Sequence, residues 1–422
     1  MSDVFLNPTL LLKHLQVIAR LNASVTCLER GIQPWEIIQT SSDVIMEVDP
    51  CITVIITLFN YENYITECLD SVAQSQISRL PAPIEILVID DCSTDRSVEV
   101  VTEYLSRSPY PIRLVKKAIN TGLADARNLG LRLALAPYVF ILDADNKIEA
   151  DCLVELYQIL ESSDDISAYS SIQKFDHDTG ASAGCLSHLP WQVDLLVQDP
   201  YIDAMALFDR EKMLQIGGYS TDLIHYGWFG WEDYELWLRI ASSGQSCQFV
   251  PKILSQYRAH SASMIHSTNV YSLNLSRYFV VKFPELASRI PASTRLFGSW
   301  RQAVDAAPPH TIDQLFQSQD KISSPQRLES LSAELQATQE TLAHLRSSRL
   351  WKVRQVVLRS WTRIQETIKP QMMLILLILY EKLCRLYLIR PFGLQPISPL
   401  LRTTMPLFNV FNAFSSKIIP LN

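Results

Sequence analysis

The fold prediction starts from residues 139–146, which have the sequence VFILDADN. Four apolar residues indicate a buried strand, and the run stops at two carboxylates separated by one residue. We expect the strand to end near Leu142, so that Asp143 and Asp145 lie at the carboxyl edge of a sheet, where open α/β sheets bind ligands. Carboxylates this close repel each other unless a cation or a hydrogen-bond donor lies between them. The alternative is an acidic turn without a ligand, because aspartate is a common turn residue.

Three earlier apolar runs have the same character, at residues 52–58, 84–89 and 112–115. Each of them is followed by a segment whose apolar residues are spaced as on one face of a helix. Strands that alternate with helices imply right-handed crossovers and a mostly parallel sheet. Polar residues follow at least three of the four strands, and parallel strands end at one edge. We therefore expect these polar residues to share one cleft.

The composition fits a globular protein in a reducing compartment. The chain has 422 residues, of which 48% are hydrophobic and 19% are charged. Its net charge of −7 argues against a general nucleic-acid binder. Eight cysteines are scattered without a Cys-x-x-Cys pair, which favours reduced core residues. The amino terminus lacks the pattern of a secretory signal peptide, so we expect a cytoplasmic protein.

The chain carries a series of polar motifs between residues 51 and 265. In chain order they are Asn60, Ile89-Asp90-Asp91-x-Ser93-Thr94-Asp95, Asn120-x-Gly122-x-x-x-Ala126-Arg127-Asn128, Leu142-Asp143-Ala144-Asp145, Ile216-Gly217-Gly218-Tyr219, Trp231-Glu232-Asp233-Tyr234-Glu235-Leu236 and Tyr257-Arg258-x-His260. In this order the motifs resemble those of the family 2 glycosyltransferases of GT-A fold. The resemblance implies an α/β domain with a mostly parallel, Rossmann-like sheet flanked by helices. It also implies transfer of a sugar from a nucleotide diphosphate to a hydroxyl, usually with Mn²⁺ or Mg²⁺.

The resemblance assigns the donor-binding residues mainly to the strand ends. The residues that it implies are Thr57, Asn60 and Glu62 near the first strand, Asp90 and Asp91 after the second, Arg127, and Asp143 and Asp145. A carboxylate at Asp90 or Asp91 can accept hydrogen bonds from a uracil-type N–H or from ribose hydroxyls. Arg127 can make bidentate contacts to the diphosphate. The alternative for an arginine on a helix is a solvated or ion-paired group.

By the same resemblance, Asp145 is the metal ligand and Asp143 lies nearer the ribose. A hard cation takes carboxylate and phosphate oxygens together, and it would neutralise charge on the leaving diphosphate. His260 occupies the position where some relatives have a metal or diphosphate ligand. A purely structural histidine is the alternative for this residue.

The adjacent acids Glu232 and Asp233 are predicted to serve the acceptor side of the reaction. The acceptor hydroxyl must lose a proton as it attacks the anomeric carbon, which requires a carboxylate base. In the family the aspartate of this pair most often takes that role, which points to Asp233. One base without a covalent nucleophile, together with the family, implies inversion at the anomeric carbon. The alternative is that both acids only stabilise a helix amino terminus through its dipole.

The sequence departs from the family pattern at four places. The usual proline is absent from the first-strand loop, Cys92 stands where glycine is common, and Asn146 replaces a frequent second aspartate. At Cys92 the backbone must therefore take an angle that a residue with a side chain can adopt. Residues 173–199 have little family character, although acceptor contacts often lie in this part of the chain.

We predict four segments in the chain. They are a helical N-terminal extension (1–50), the GT-A domain (51–305), a linker with a short heptad helix (306–348), and a basic, apolar-rich helical tail (349–422). The leucine spacing at 328–345 indicates either a short coiled coil, through which the protein would form oligomers, or an interior helix hairpin.

The basic tail has a charge opposite to that of the rest of the chain. Residues 349–402 contain ten lysines and arginines against two acids. Their apolar run is too short to span a bilayer. A basic helix with aromatic anchors fits an anionic membrane surface, which would place the protein on the inner membrane face. The alternative is a helix folded back on the catalytic domain.

The sequence therefore predicts a hexosyltransferase-type, inverting glycosyltransferase. Its partners would be a nucleotide-diphosphate sugar and a glycan or lipid-linked acceptor. One alternative is a sugar-phosphate nucleotidyltransferase, which has a similar sheet but usually carries a Gly-rich phosphate loop after the first strand. The other is a non-catalytic, membrane-associated scaffold of GT-A fold, which would be expected to lose Asp145 or Asp233. Both residues are present.

Overall fold

The computed structural model describes residues 8–40, 49–227, 230–260 and 265–315. They belong to the first of two compact units, which comprises residues 1–316. The predicted heptad helix at 328–345 and the predicted basic tail at 349–402 lie outside the described residues. The oligomer and membrane contacts that we assigned to those two segments therefore stay predictions.

One large mixed sheet organises the described residues. Its ten strands are β1 (Trp35–Thr40), β2 (Ile52–Leu58), β3 (Ile84–Asp90), β4 (Ile112–Lys117), β5 (Tyr138–Asp143), β6 (Lys147–Ile148), β7 (Ser167–Asp176), β8 (Ser182–Leu186), β9 (Ala206–Asp209) and β10 (Cys247–Ala259). The strand order is β1-β4-β3-β2-β5-β9-β7-β10-β6, and β8 pairs with β7. Two short strands, β11 (Arg295–Leu296) and β12 (Ser299–Trp300), pair separately.

Helices pack around this sheet. They are α1 (Pro8–Glu29), α2 (Ile65–Ala73), α3 (Ser97–Tyr104), α4 (Leu123–Leu133), α5 (Cys152–Glu161), α6 (Val193–Gln198), α7 (Arg210–Gln215), α8 (Glu232–Ser242), α9 (Ile265–Lys282), α10 (Pro284–Ser288) and α11 (Arg301–Asp305). Within the described ranges, no helix combines the length and the apolar character needed to cross a membrane.

Strands β2 to β5 form the parallel part of the sheet, as the alternation of strands and helices predicted. Strand β2 pairs in parallel with both β3 and β5, and β3 pairs in parallel with β4. Every residue of β2 and β3 is buried. Burial on both faces explains why these strands are nearly continuous apolar runs. The predicted α/β class is therefore confirmed.

Strand β9 runs opposite to its two neighbours. It pairs antiparallel with β5 and with β7, whereas β7 and β10 are parallel to each other. Strands β2 to β5, β7 and β10 consequently all end at one edge of the sheet, and β9 begins at that same edge. This edge carries the polar residues that the sequence singled out.

The amino-terminal extension contributes a strand as well as a helix. Helix α1 packs within this unit through Val17 and Leu21, which contact Ile224. Strand β1 pairs antiparallel with β4 at the edge of the sheet, with Trp35 opposite Lys117. The sequence predicted the helix but missed the strand, because a short run without regular alternation becomes a strand only by pairing with β4.

The turn after α7 depends on two glycines. Gly217 and Gly218 have φ angles of 89° and 65°. Asn128 on α4 holds the next residue, since its Oδ1 accepts from the Tyr219 backbone N–H at 2.7 Å and its Nδ2 donates to the Tyr219 carbonyl at 2.8 Å. A Cβ on Gly218 would overlap Asn128 Oδ1. Glycine is therefore required at position 218 while these hydrogen bonds are intact.

We expect Gly218→Ala to lower the free energy of unfolding by about 3 kcal/mol or more, because left-handed backbone strain adds to the displacement of Asn128. Gly244→Ala is the matched control: Gly244 also has a positive φ, 76°, but nothing lies within 4 Å of its added Cβ. The control should lose only about 1–2 kcal/mol through backbone strain. Urea unfolding followed by circular dichroism measures both variants, and equal losses would contradict a constraint from Asn128.

Candidate active site

The two aspartates of the VFILDADN stretch lie at the carboxyl edge of the sheet. Asp143 is the last residue of β5, and its Oδ1 accepts from the Thr57 hydroxyl at 2.9 Å. The chain then turns, with the Asn146 N–H donating to the Asp143 carbonyl at 3.0 Å. Asp145 sits in this turn and is 9% exposed. The strand thus ends one residue later than Leu142, and both carboxylates are at the predicted edge.

Arg127 joins the two acidic motifs of the chain. Its side chain is 1% exposed and donates from Nη2 to Asp143 Oδ1 at 2.8 Å and from Nη1 to Glu232 Oε1 at 2.7 Å. The guanidinium also lies 5.1 Å from the centre of the Tyr219 ring. The sequence predicted that Arg127 contacts a diphosphate. That contact stays a prediction. In the structure its two terminal nitrogens bind carboxylates, so Arg127 connects β5 to α8.

Asp145 and His260 face each other across the sheet edge. His260 follows the end of β10, and its Nε2 lies 2.9 Å from Asp145 Oδ2. Burial raises the pKa of Asp145, and the neighbouring Asp143 adds to that rise, whereas the contact with His260 opposes it. One carboxylate and one imidazole that converge in this way could hold a divalent cation. Across the described ranges, no group of three or more His, Cys, Asp or Glu side chains converges to hold one.

Arg258 fixes the turn that carries Asp145, which the sequence did not predict. Its Nε donates to the Asp145 carbonyl at 2.9 Å, and its Nη2 donates to Glu67 Oε2 at 2.8 Å. Its backbone N–H donates to Asn146 Oδ1 at 3.0 Å. Asn146 therefore ties this turn to β10 through a neutral acceptor.

Glu232 and Asp233 occupy the first turn of α8. Trp231 precedes them with a left-handed backbone, φ 62°, and Asp233 Oδ1 accepts from the Tyr234 N–H at 2.7 Å. Burial raises the pKa of Asp233 well above its usual range, and the nearby carboxylates of Glu232 and Asp203 raise it further. The helix-terminus interpretation and a catalytic one are thus compatible, because Asp233 is in the first turn and is electrostatically perturbed.

Asp203 is a further carboxylate at this edge that the sequence did not indicate. It lies just before β9, and its Oδ1 accepts from the Met205 N–H at 3.0 Å. Burial raises the pKa of Asp203 to about 6. No motif marks this aspartate in the sequence, since it precedes a short antiparallel strand whose placement depends on pairing with β5 and β7.

Asp90 and Asp91 have different surroundings from each other. The carboxylate of Asp91 is bound by other residues of the protein. It accepts from the Thr121 and Gly122 N–H groups at 3.1 and 2.8 Å and pairs with Lys117 at 2.8 Å. Asp90 is fully buried and accepts from the Ser93 N–H at 3.2 Å. Burial raises the pKa of Asp90. Asp91 therefore anchors the start of α4, whereas Asp90 shapes the loop after β3.

The first-strand loop is bound to the loop after β3. Asn60 Oδ1 accepts from the Thr94 N–H at 2.7 Å, and Glu62 Oε2 accepts from the Arg96 N–H at 2.8 Å. Cys92 has a φ of 65°, in the left-handed region that favours glycine, so the backbone keeps the glycine-like angle although the residue carries a side chain. The structure thus brings Thr57, Arg127 and the four acids at 143, 145, 232 and 233 to one site. It places Asn60 and Glu62 in an adjoining pair of loops.

Residues 53–265 are similar to known glycosyltransferases. The model of glycosyl transferase family 2 matches residues 53–216, and the model of the N-terminal domain of galactosyltransferase matches residues 200–265. The glycosyltransferase GlyA of Streptococcus pneumoniae is 39% identical over 136 residues, which are 32% of this chain and 18% of GlyA. The poly(ribitol-phosphate) beta-N-acetylglucosaminyltransferase TarS of Staphylococcus aureus is 32% identical over 102 residues, 24% of this chain and 17% of TarS.

The chain also aligns with a solved structure. Residues 1–349 of S. aureus TarS in complex with UDP-GlcNAc align with a TM-score of 0.43 and 18% identity, over 58% of this chain and 67% of that one. The chain spans between 16% and 41% of the length of the curated relatives it matches here. The two family matches together run through the mixed, mostly parallel sheet and every acidic residue of the site. Residues 53–216 are therefore similar to glycosyl transferase family 2, as the sequence motifs predicted, and the mixed, mostly parallel sheet flanked by helices is consistent with the predicted GT-A fold.

Proposed function

We propose that this protein transfers a sugar, with inversion, from a nucleotide-diphosphate donor to a hydroxyl of a glycan or lipid-linked acceptor. The observation that carries the proposal is the Arg127 bridge, which joins Asp143 on β5 to Glu232 on α8. It sets the acidic turn after β5 next to the acid pair on α8. A donor site and an acceptor base must be adjacent for a single displacement at one carbon.

A divalent cation fits the residues on the β5 side. Mg²⁺ and similar hard cations are commonly bound by one or two carboxylates, with substrate phosphates completing the site. Asp145 and His260, whose facing atoms are 2.9 Å apart, would hold the cation, and the diphosphate would supply further oxygens. When bound, Mn²⁺ or Mg²⁺ would neutralise charge that develops on the leaving diphosphate. Asp143 contacts Arg127 and Thr57, which leaves its remaining acceptor capacity for a ribose hydroxyl.

Asp233 is the proposed general base. It removes the proton from the acceptor hydroxyl as the hydroxyl oxygen forms a bond to the anomeric carbon and the bond to the diphosphate oxygen breaks. One displacement of this kind inverts the anomeric configuration. Its raised pKa supports this role, because a carboxylate with a raised pKa is a stronger base. Glu232, ion-paired with Arg127 at 2.7 Å, positions the first turn of α8.

The acceptor class rests on the relatives. The name of TarS specifies a poly(ribitol-phosphate) acceptor, which is a polymer with free hydroxyls. A glycan or lipid-linked acceptor handled in the cytoplasm, with the protein on the inner membrane face, would also suit the basic segment at 349–402 that the sequence predicts to contact membrane.

A screen of nucleotide sugars tests the proposal. The full chain would be incubated with UDP- and GDP-sugars with and without Mn²⁺, and thermal shift and release of nucleoside diphosphate would be measured. We expect cation-dependent release of UDP or GDP from one donor. Release of pyrophosphate from a nucleoside triphosphate and a sugar phosphate would instead indicate a nucleotidyltransferase.

We expect Asp145→Asn to reduce cation-dependent donor turnover by about 100-fold or more, because the amide loses the charge that a hard cation requires. The same variant should lose the Mn²⁺-dependent increase in thermal stability measured with UDP or GDP. Asp151→Asn is the control, since Asp151 is an exposed carboxylate paired with Arg79 at 3.4 Å. A folded Asp145→Asn protein that keeps the Mn²⁺ response would rule out this ligand assignment.

We expect Asp233→Asn to reduce transfer to the acceptor by about 100-fold or more, because the amide keeps the shape of the side chain but cannot take a proton. Donor affinity, measured by calorimetry, should stay within twofold of wild type. Asp222→Asn serves as control, since the Asp222 side chain is 67% exposed. A parallel loss of donor affinity would assign Asp233 to nucleotide binding instead.

Asp233→Asn should also be more stable against unfolding than the wild-type protein at neutral pH. A folded-state pKa above the unfolded value means that the folded protein binds the proton more tightly, so ionisation of Asp233 destabilises the fold as pH rises. The gain in stability of Asp233→Asn should therefore appear at pH values above the usual carboxyl pKa. It should vanish below about pH 4, where the acid is protonated in both the folded and the unfolded state. Melting curves across pH measure this, and a gain that does not depend on pH would contradict it.

A further inference from the structure

Asp203 has no role in the proposed reaction so far, although it lies at the same sheet edge. Strand β9 pairs antiparallel with β5, with Leu207 opposite Phe140. Asp203 lies three residues before Ala206, the first residue of β9, and β9 begins at the edge where β5 ends. The sheet topology therefore places Asp203 at the same edge as the acidic turn.

The surroundings of Asp203 hold its backbone firmly. Its neighbours Ile202 and Ala204 are each 3% exposed, and its own N–H donates to the Ser187 hydroxyl at 2.9 Å. One carboxylate oxygen accepts from the Met205 N–H at 3.0 Å. In the part of the chain that the structure describes, that N–H is the single hydrogen-bond donor to the Asp203 carboxylate. The second oxygen is consequently available to a ligand.

The charges around Asp203 exclude some ligands. Its carboxylate interacts electrostatically with Asp143, Asp145 and Asp233, and Arg127 is the nearby cation that opposes them. A phosphate bound directly to Asp203 would add like charge to this group, which is unfavourable. A neutral ligand with hydrogen-bond donors interacts favourably with the same carboxylate. Hydroxyl groups are donors of this kind.

We propose that Asp203 accepts hydrogen bonds from hydroxyls of the transferred sugar and so helps to select which sugar is used. This inference rests on the proposed function, because that function defines where the sugar lies. The anomeric carbon is bonded to the diphosphate near Asp145 and is attacked by the hydroxyl that Asp233 deprotonates. The sugar ring therefore occupies the space between these two acids, and Asp203 interacts with both of them.

A fixed carboxylate discriminates between sugars by the direction of their hydroxyls. An epimer whose hydroxyl points away leaves the buried acceptor without its donor, and a site built for that hydrogen bond rejects such an analogue strongly. The nucleoside and the diphosphate do not depend on a hydrogen bond to Asp203. Substitution should therefore affect nucleotide sugars and spare the corresponding nucleoside diphosphates.

Calorimetry on the full chain with Mn²⁺ tests this, using UDP-glucose, UDP-galactose, UDP-GlcNAc and GDP-mannose as probes beside UDP and GDP. Asp203→Asn keeps an acceptor for the Met205 N–H and removes the charge, and Asp203→Ala removes both. We expect the affinity of the best-bound nucleotide sugar to fall about tenfold or more, while that of its nucleoside diphosphate stays within twofold. Asp209→Asn is the matched control, because Asp209 is at the opposite end of β9 and asparagine also caps α7.

The outcomes separate this inference from the proposed function. A sugar-specific loss with an altered preference among the four donors supports a selecting role for Asp203. Equal losses for nucleotide sugar and nucleoside diphosphate, or no loss in either variant, overturn it while transfer by the wild-type protein still supports the proposed function. Failure of the wild-type protein to bind any of the probes overturns both.

Discussion

The arrangement of the site depends on one buried guanidinium. Arg127 is 1% exposed and binds Asp143 on one side and Glu232 on the other. Burying such a charge is costly, and it is tolerated because both partners are carboxylates within 2.8 Å. Removing a single partner from a buried pair of this kind typically costs about 3–5 kcal/mol. The guanidinium thus makes the positions of β5 and α8 mutually dependent, although these elements are far apart in the sequence.

The position of Arg127 depends in turn on the loop after β3. Asp91 binds the Thr121 and Gly122 N–H groups and Lys117, and these contacts hold the chain where α4 begins. Arg127 lies about one turn into that helix. The loop after β3 therefore aligns α4, α4 aligns the guanidinium, and the guanidinium aligns both acid pairs. Asp91, which the family resemblance assigned to the nucleoside, therefore positions α4 and, through it, Arg127 in this fold.

Local patterns were sufficient to predict the parallel half of the sheet, because buried parallel strands are continuous apolar runs with helices between them. They also located the acids at 143, 145, 232 and 233, which follow or begin regular elements. The partners of Arg127, the contacts of Arg258 and the presence of Asp203 could not be predicted. Each depends on pairing between distant segments, such as the antiparallel insertion of β9 beside β5. Single-sequence periodicity contains no information on that pairing.

The reversal of direction at β9 has a consequence for how this chain can diversify. Residues that shape the loops after β2 and β3 hold one another through short hydrogen bonds, as between Asn60 and Thr94. Asp203 comes from a separate segment on the opposite side of β5, and its backbone is held by Ser187 and Met205. The hydrogen bonds of Asn60 and Thr94 and those of Asp203 lie on different partners. Mutations or recombination between residues 187 and 205 can therefore change the Asp203 side of the cleft without changing the loops after β2 and β3.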